Sequence, residues 1–127
     1  RLRIVNRQPG AGTRVYLDHL LQGCGASPDQ LPGYEMEVFT HMDVGLAVLS
    51  GKADTGLATT AVARMLGLQS IPMTTECFSM VLAQSTFFAK GVQALLDVLR
   101  SGPFQNKAAA IGGYDFKDAG RVSHAAP

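Results

Sequence analysis

The sequence predicts an α/β domain, a mostly parallel sheet flanked by helices. Three observations carry that expectation. Strand-like and helix-like stretches alternate through the first ~70 residues, the pattern of β-α units whose strands run parallel. Helical stretches open on polar or Gly-rich start signals and close on glycine. An apolar run, Leu2 to Val5, passes straight through a Gly-rich turn into a helical pattern that begins at Val15.

Residues 1–7 read as a short buried strand. The turn Asn6-Arg7-Gln8-Pro9-Gly10-Ala11-Gly12-Thr13-Arg14 follows. A helix over residues 13–22 has Leu17, Leu20, Leu21 and Cys24 as its apolar stripe, with Gly23 and Gly25 as stop signals. Ser27-Pro28-Asp29-Gln30 has a capping-box pattern with Pro at the first helical position, which predicts one short turn. Residues 34–39 alternate as a strand, with Glu35 and Glu37 on a solvated face. Thr40-His41-Met42-Asp43 is a second capping box. It opens a helix that runs to Ser50 and turns Val44, Ala47 and Val48 inward. Residues 53–58 form a short strand in which Gly56 marks a close approach by protein or ligand. Thr59 or Thr60 caps a helix through Leu66, closed by Gly67.

Residues 69–73 and 76–83 read as two more strands. From Thr86 the spacing of Val92, Leu95, Leu96 and Leu99 predicts an amphipathic helix ending near Ser101-Gly102. Pro103 starts another, through Ile111. The tail to Pro127, with His124, reads as loop with frayed last residues.

The Gly-rich turn is the first functional candidate. A strand feeding a helix through such a turn presents backbone N–H groups that lack intrahelical partners, at the positive end of the helix dipole. That is a site for an anion. Gly10 and Gly12 can take positive φ and let a ligand approach the main chain. Thr13 adds a hydroxyl, and Arg7 and Arg14 flank the turn with guanidinium groups. In a parallel sheet, ligands sit at the carboxyl ends of strands. The turn after the first strand, Thr40-His41 after the second and Thr59-Thr60 after the third are thus expected to converge on one crevice. The alternative for the turn is an ordinary strand-to-helix connection that holds nothing. His41 reads either as a donor to a bound anion or a pH switch, or as a partly solvated first helical residue.

Several function classes fall away. No Gly-Lys-Ser/Thr occurs, so there is no Walker A loop. The dinucleotide pattern needs glycine where Val15 stands. The net charge is +1 with no basic cluster, so no direct nucleic-acid partner is expected. No apolar run approaches the ~18 residues of a membrane span. Cys24 and Cys77 have no metal spacing and no CxxC, and read as buried apolar residues. No nucleophile elbow or His/Cys/Asp/Glu metal spacing is present, so neither catalytic residues nor a metal or cofactor are expected.

Taken together, residues 7–14, Pro32-Gly33-Tyr34, Thr40-His41, Ser50-Gly51-Lys52-Ala53-Asp54-Thr55-Gly56, Gly112-Gly113-Tyr114-Asp115 and Gly120-Arg121 carry a resemblance to a known family. The chain resembles the periplasmic-binding-protein-like domain found beside MoeA-type molybdopterin-synthesis domains or a ModE-like helix-turn-helix. The resemblance implies a type II solute-binding fold, two α/β lobes around a ligand cleft. It places residues 1–83 in one ligand-binding lobe and residues 84–127 in helices and a tail returning toward a first lobe upstream. The implied ligand is a tetrahedral oxyanion such as molybdate or tungstate, or a molybdenum-cofactor precursor. It would be held by Arg7, Gly10, Ala11, Gly12, Thr13, Arg14, Thr40, His41 and Thr59. The resemblance implies a non-catalytic sensor module in the cytoplasm. Its alternatives are part of the substrate site of a molybdopterin-synthesis enzyme, or an extracytoplasmic receptor of an ABC transporter. An open half-cleft exposes apolar surface, so a homodimer is a further expectation.

Overall fold

A computed structural model of the 127-residue chain describes residues 1–123. The expected frayed end with His124 lies outside the described residues. The chain divides into two compact units, Arg1–Ser70 and a second that begins at Ile71.

The first unit is built on three parallel strands, β1 (Ile4–Arg7), β2 (Glu37–Val38) and β3 (Thr55–Gly56), in the order β2-β1-β3. The small α/β fold with a parallel sheet flanked by helices is as the sequence predicts. Asn6 lies opposite Glu37 and Arg7 opposite Val38; on the other side Ile4 faces Thr55 and Val5 faces Gly56. The central strand is apolar in consecutive positions because both of its faces are covered. Successive side chains of a strand point to opposite faces. Ile4 accordingly packs with Leu17 and Leu21 of α1 (Gly12–Gly23). Val5 packs with Val44 and Ala47 of α2 (His41–Leu49) and with Ala53. A short helix, α3 (Thr60–Met65), packs on α2, where a Cβ on Gly45 would meet Val62 and Leu66 side-chain carbons at 2.7 and 2.5 Å.

Two glycines are required by contact. Gly56 marks an approach by protein: a Cβ there would stand 2.6 Å from Val44 Cγ1 and 2.9 Å from the Val5 carbonyl oxygen. Gly33 has φ +86° and a Cβ there would sit 2.2 Å from the Ile4 carbonyl oxygen. At the amino edge of the sheet Arg3 clamps Asp54. The Arg3 amide donates to Oδ2 at 2.7 Å, and Arg3 Nη2 donates to Oδ1 and to the Gly51 carbonyl, both at 2.9 Å. These bonds, the side-chain one first, lower the Asp54 carboxyl to about 2.

The second unit holds α4 (Gln84–Phe87), α5 (Lys90–Arg100) and α6 (Gly102–Ile111). Leu96 and Ala108 are its buried apolar residues, and Phe104 meets Phe116 edge to face at 5.2 Å. Ser101 caps α6 through Phe104 N–H.

The structure corrects four local expectations. Residues 69–73 and 76–83 form no strand, because none of residues 69–82 makes a backbone hydrogen bond among the described residues. The second strand covers only Glu37–Val38, because the left-handed turn at Gly33 holds residues 34–36 in a bend, with Met36 N–H bonded to Gly33 O at 2.8 Å. Gly12 is the first residue of α1 rather than a positive-φ turn residue; Gly10, at φ 84°, makes the turn. Cys24 and Cys77 are both exposed, Cys24 because α1 ends at Gly23 and the chain turns away.

Candidate functional site

Every strand of the sheet ends at the same edge, and each is followed by a helix. The β1 end passes through Gln8, Pro9, Gly10 and Ala11 into α1. The β2 end passes through Phe39 and Thr40 into α2, and the β3 end through residues 57–59 into α3. α1 covers the Ile4 face of the sheet and α2 the Val5 face. The chain leaves β1 toward β2 on one side, then crosses to β3 on the other. In open sheets with parallel strands, ligands sit at this carboxyl edge.

The three helix starts differ chemically. α2 carries a capping box: Thr40 Oγ1 accepts from Asp43 N–H at 3.0 Å, and the Asp43 carboxylate accepts from Thr40 N–H at 3.1 Å and from its hydroxyl at 2.7 Å. A carboxylate thus already occupies the positive end of that helix. Thr59 caps α3, its Oγ1 accepting from Val62 N–H at 3.4 Å. α1 has no side-chain cap, since its N-cap is Ala11. The Gly12, Thr13 and Arg14 amides have no partner among the described residues. Gly10 leaves open space where a Cβ would be. Thr13 Oγ1 is buried and lacks a hydrogen-bond partner among the described residues.

Arg14 is placed differently from a free ligand group. Its side chain runs back under the turn and is 10% exposed. The guanidinium donates to the Tyr34 hydroxyl at 3.2 Å, the Arg7 carbonyl at 3.3 Å and Glu37 Oε1 at 3.2 Å. It also lies over the Tyr34 ring, 4.0 Å from the centroid, and 3.5 Å from Asp18. Burial disfavours the charge, but the Tyr34 bond and the two carboxylates outweigh it and raise the guanidinium pKa. The Tyr34 hydroxyl donates to Asp18 at 2.6 Å, and this bond raises its pKa. Arg14 therefore ties the first helix to the end of β1 and to β2, and so fixes the turn between them. Arg7, at the end of β1, donates from Nε to Gln8 Oε1 at 3.1 Å and makes no ion pair among the described residues.

The structure thus brings Arg7, Gly10, Ala11, Gly12, Thr13, Thr40, His41 and Thr59 to one edge, with Arg14 beneath. Sequence patterning missed the Tyr34, Glu37 and Asp18 partners. Asp18 was legible as the i+4 partner of Arg14. Tyr34 and Glu37 arrive through chain crossover, which no local spacing encodes. Buried Asn6, whose Oδ1 accepts from Arg7 N–H at 3.0 Å and whose Nδ2 donates to the Tyr34 carbonyl at 3.4 Å, stiffens the same corner. No group of three or more His, Cys, Asp or Glu side chains among the described residues could hold a metal ion. No helix among them is long and apolar enough to cross a membrane.

A family model described as a PBP superfamily domain matches residues 1–100. The chain is similar to the uncharacterized protein YvgK of Bacillus subtilis (strain 168), with 31% identity over 95% of this chain and 39% of that protein. It thus spans about two fifths of that relative's length. It is also similar to an uncharacterized protein of the ferredoxin 2Fe-2S gene 5' region of Clostridium pasteurianum, with 25% identity over 85% of this chain and 96% of that protein. No solved structure matches. The matched span takes in the whole parallel sheet and the three helix starts at its carboxyl edge, and the chain belongs to the periplasmic-binding-protein-like family of the PBP superfamily.

Proposed function

We propose that this chain is a non-catalytic ligand-binding module that holds a small anion at the carboxyl edge of its sheet. One observation carries the proposal: α1 begins with amides unpartnered among the described residues, behind an open glycine turn at the carboxyl edge of the sheet. Unsatisfied N–H groups at a helix start attract negative charge. Gly10, Ala11, Gly12 and Thr13 form the floor of the site, and Thr59 and the Arg7 guanidinium face it from the sides. Thr40 and His41 form its far rim, where Asp43 already supplies negative charge. Arg14 holds the floor in place from beneath.

The ligand we propose is a tetrahedral oxyanion, molybdate or tungstate, or a molybdenum-cofactor precursor, in a cytoplasmic molybdopterin-synthesis or regulatory protein. Residues 1–83 are then the ligand lobe and residues 84–127 return toward a first lobe. A MoeA-like or helix-turn-helix domain is the proposed neighbour in a longer chain. Isothermal titration of the chain with molybdate, tungstate, sulfate and phosphate tests this. Saturable binding of molybdate or tungstate in preference to sulfate is the expected result. Binding of none of the four, by this chain and by a longer protein containing it, refutes the oxyanion.

A further inference from the structure

β3 pairs with Ile4 and Val5 and stops at Gly56, so the last residues of β1 run past it. Arg7 stands there, opposite Val38 of β2 on the other side. Side chains supply the bonds to its peptide groups. Asn6 Oδ1 accepts from the Arg7 N–H at 3.0 Å, and Arg14 Nη1 donates to the Arg7 carbonyl at 3.3 Å. Both of these side chains are held by one further residue, Tyr34. The Tyr34 carbonyl accepts from Asn6 Nδ2 at 3.4 Å, and its hydroxyl accepts from Arg14 Nε at 3.2 Å. Its ring centroid lies 4.0 Å from the Arg14 guanidinium carbon. The same hydroxyl donates to Asp18 at 2.6 Å, a charge-assisted bond one turn further along α1. The Tyr34 N–H is bonded in turn to the Leu31 carbonyl at 3.1 Å.

We propose that Tyr34 is the positioning residue of the Gly-rich turn, setting the Arg7 main chain through Asn6 at its N–H and through Arg14 at its carbonyl. Arg14 is paired with Glu37 and Asp18, which leaves Arg7 as the guanidinium at the turn that has no carboxylate partner among the described residues. A guanidinium grips an oxyanion through directed bonds, so a main chain held in place beforehand lowers the cost of binding. Tyr34 thus acts on a ligand through Arg7 without touching it. Its bearing on a ligand rests on the anion reading above; its hold on the turn does not.

Carbon-13 NMR of the backbone carbonyls tests it on the 127-residue chain without any ligand. Tyr34→Phe removes the hydroxyl and keeps the ring. The Arg7 carbonyl resonance should move in the direction in which Arg14→Ala moves it, while those of Ile4 and Val5 stay in place. In an Arg14→Ala background Tyr34→Phe should move it no further, because the two residues act in series. A merely structural role for Tyr34 would shift the whole strand and persist without Arg14. Titration with molybdate then reads the site. Tyr34→Phe should bind about fivefold more weakly than the wild type, the effect of one hydrogen bond, and should add nothing to Arg7→Ala. Should Tyr34→Phe fail to fold by circular dichroism, Asp18→Asn, which removes the charged acceptor of the hydroxyl, replaces it with the same shift expected. An Arg7 carbonyl that does not move, a shift that persists without Arg14, or molybdate binding that Tyr34→Phe leaves unchanged overturns the proposal. If the wild type binds neither molybdate nor sulfate, the anion reading falls, and the carbonyl shift alone decides the role of Tyr34.

Discussion

Replacing Arg14 with Ala tests whether this residue is a ligand group or the clamp beneath the turn. The substitution deletes hydrogen bonds to the Arg7 carbonyl and the Tyr34 hydroxyl, which contribute about 1 kcal/mol each. Stacking over the Tyr34 ring adds about 0.5–1 kcal/mol. The ion pairs are worth less, about 0.5 kcal/mol each, because the Glu37 and Asp18 side chains are 34% and 45% exposed and water screens them. These contributions share one guanidinium and do not add fully, so the expected loss is about 2–3 kcal/mol. For a unit the size of Arg1–Ser70, each kcal/mol moves the thermal midpoint by roughly 4–8 °C. A fall of roughly 10–20 °C follows. Urea unfolding followed by far-ultraviolet circular dichroism measures it, with the denaturant slope unchanged. Arg14→Lys should lose an intermediate amount, since an ammonium cannot stack and fork at once. A loss under about 0.5 kcal/mol for Arg14→Ala refutes the clamp and leaves the guanidinium free to serve a ligand.

Other substitutions follow from the same geometry. Thr13→Val replaces a buried hydroxyl that has no partner among the described residues with a methyl group of the same shape. Stability should rise by about 0.5–1 kcal/mol while affinity for molybdate falls, and unchanged affinity by titration removes Thr13 from the site. Gly33→Ala combines a positive φ with a 2.2 Å clash on the Ile4 carbonyl and should destabilise by about 3 kcal/mol or more, read from the urea midpoint. The Asp54 carboxyl is lowered to about 2 from an ordinary 3.8, so its contribution is complete above about pH 4 and disappears as pH falls through about 2. Asp54→Asn should flatten the loss of stability across that window, and parallel acid-unfolding curves for the two proteins would count against the Arg3 clamp.

Much of the first unit was legible because local signals there agree with the tertiary outcome. Thr40 and Asp43 form the capping box that their spacing predicts, and Ile4 and Val5 are buried on both faces as a short apolar run implies. The turn at residues 8–11 lies where Gly10 places it. Elsewhere the same reasoning fell short. Glu35 and Glu37 are both exposed as expected, but spacing did not show that Glu37 also receives the Arg14 guanidinium. The apolar run at residues 76–83 reads as a strand, but residues 69–82 make no backbone hydrogen bond among the described residues and no strand forms there.

The sequence by itself determined the α/β class, the order of the elements and the position of a Gly-rich helix start after the first strand. These depend on hydrophobic period, capping residues and glycine, all of which act over a few residues. Only the tertiary structure fixed the start of α1 at Gly12 behind Ala11, which leaves that helix without a side-chain cap. It alone decided that Arg14 faces inward. The partners that neutralise it, Tyr34 and Glu37, stand 20 and 23 residues away and meet it only after the chain has crossed from α1 to β2.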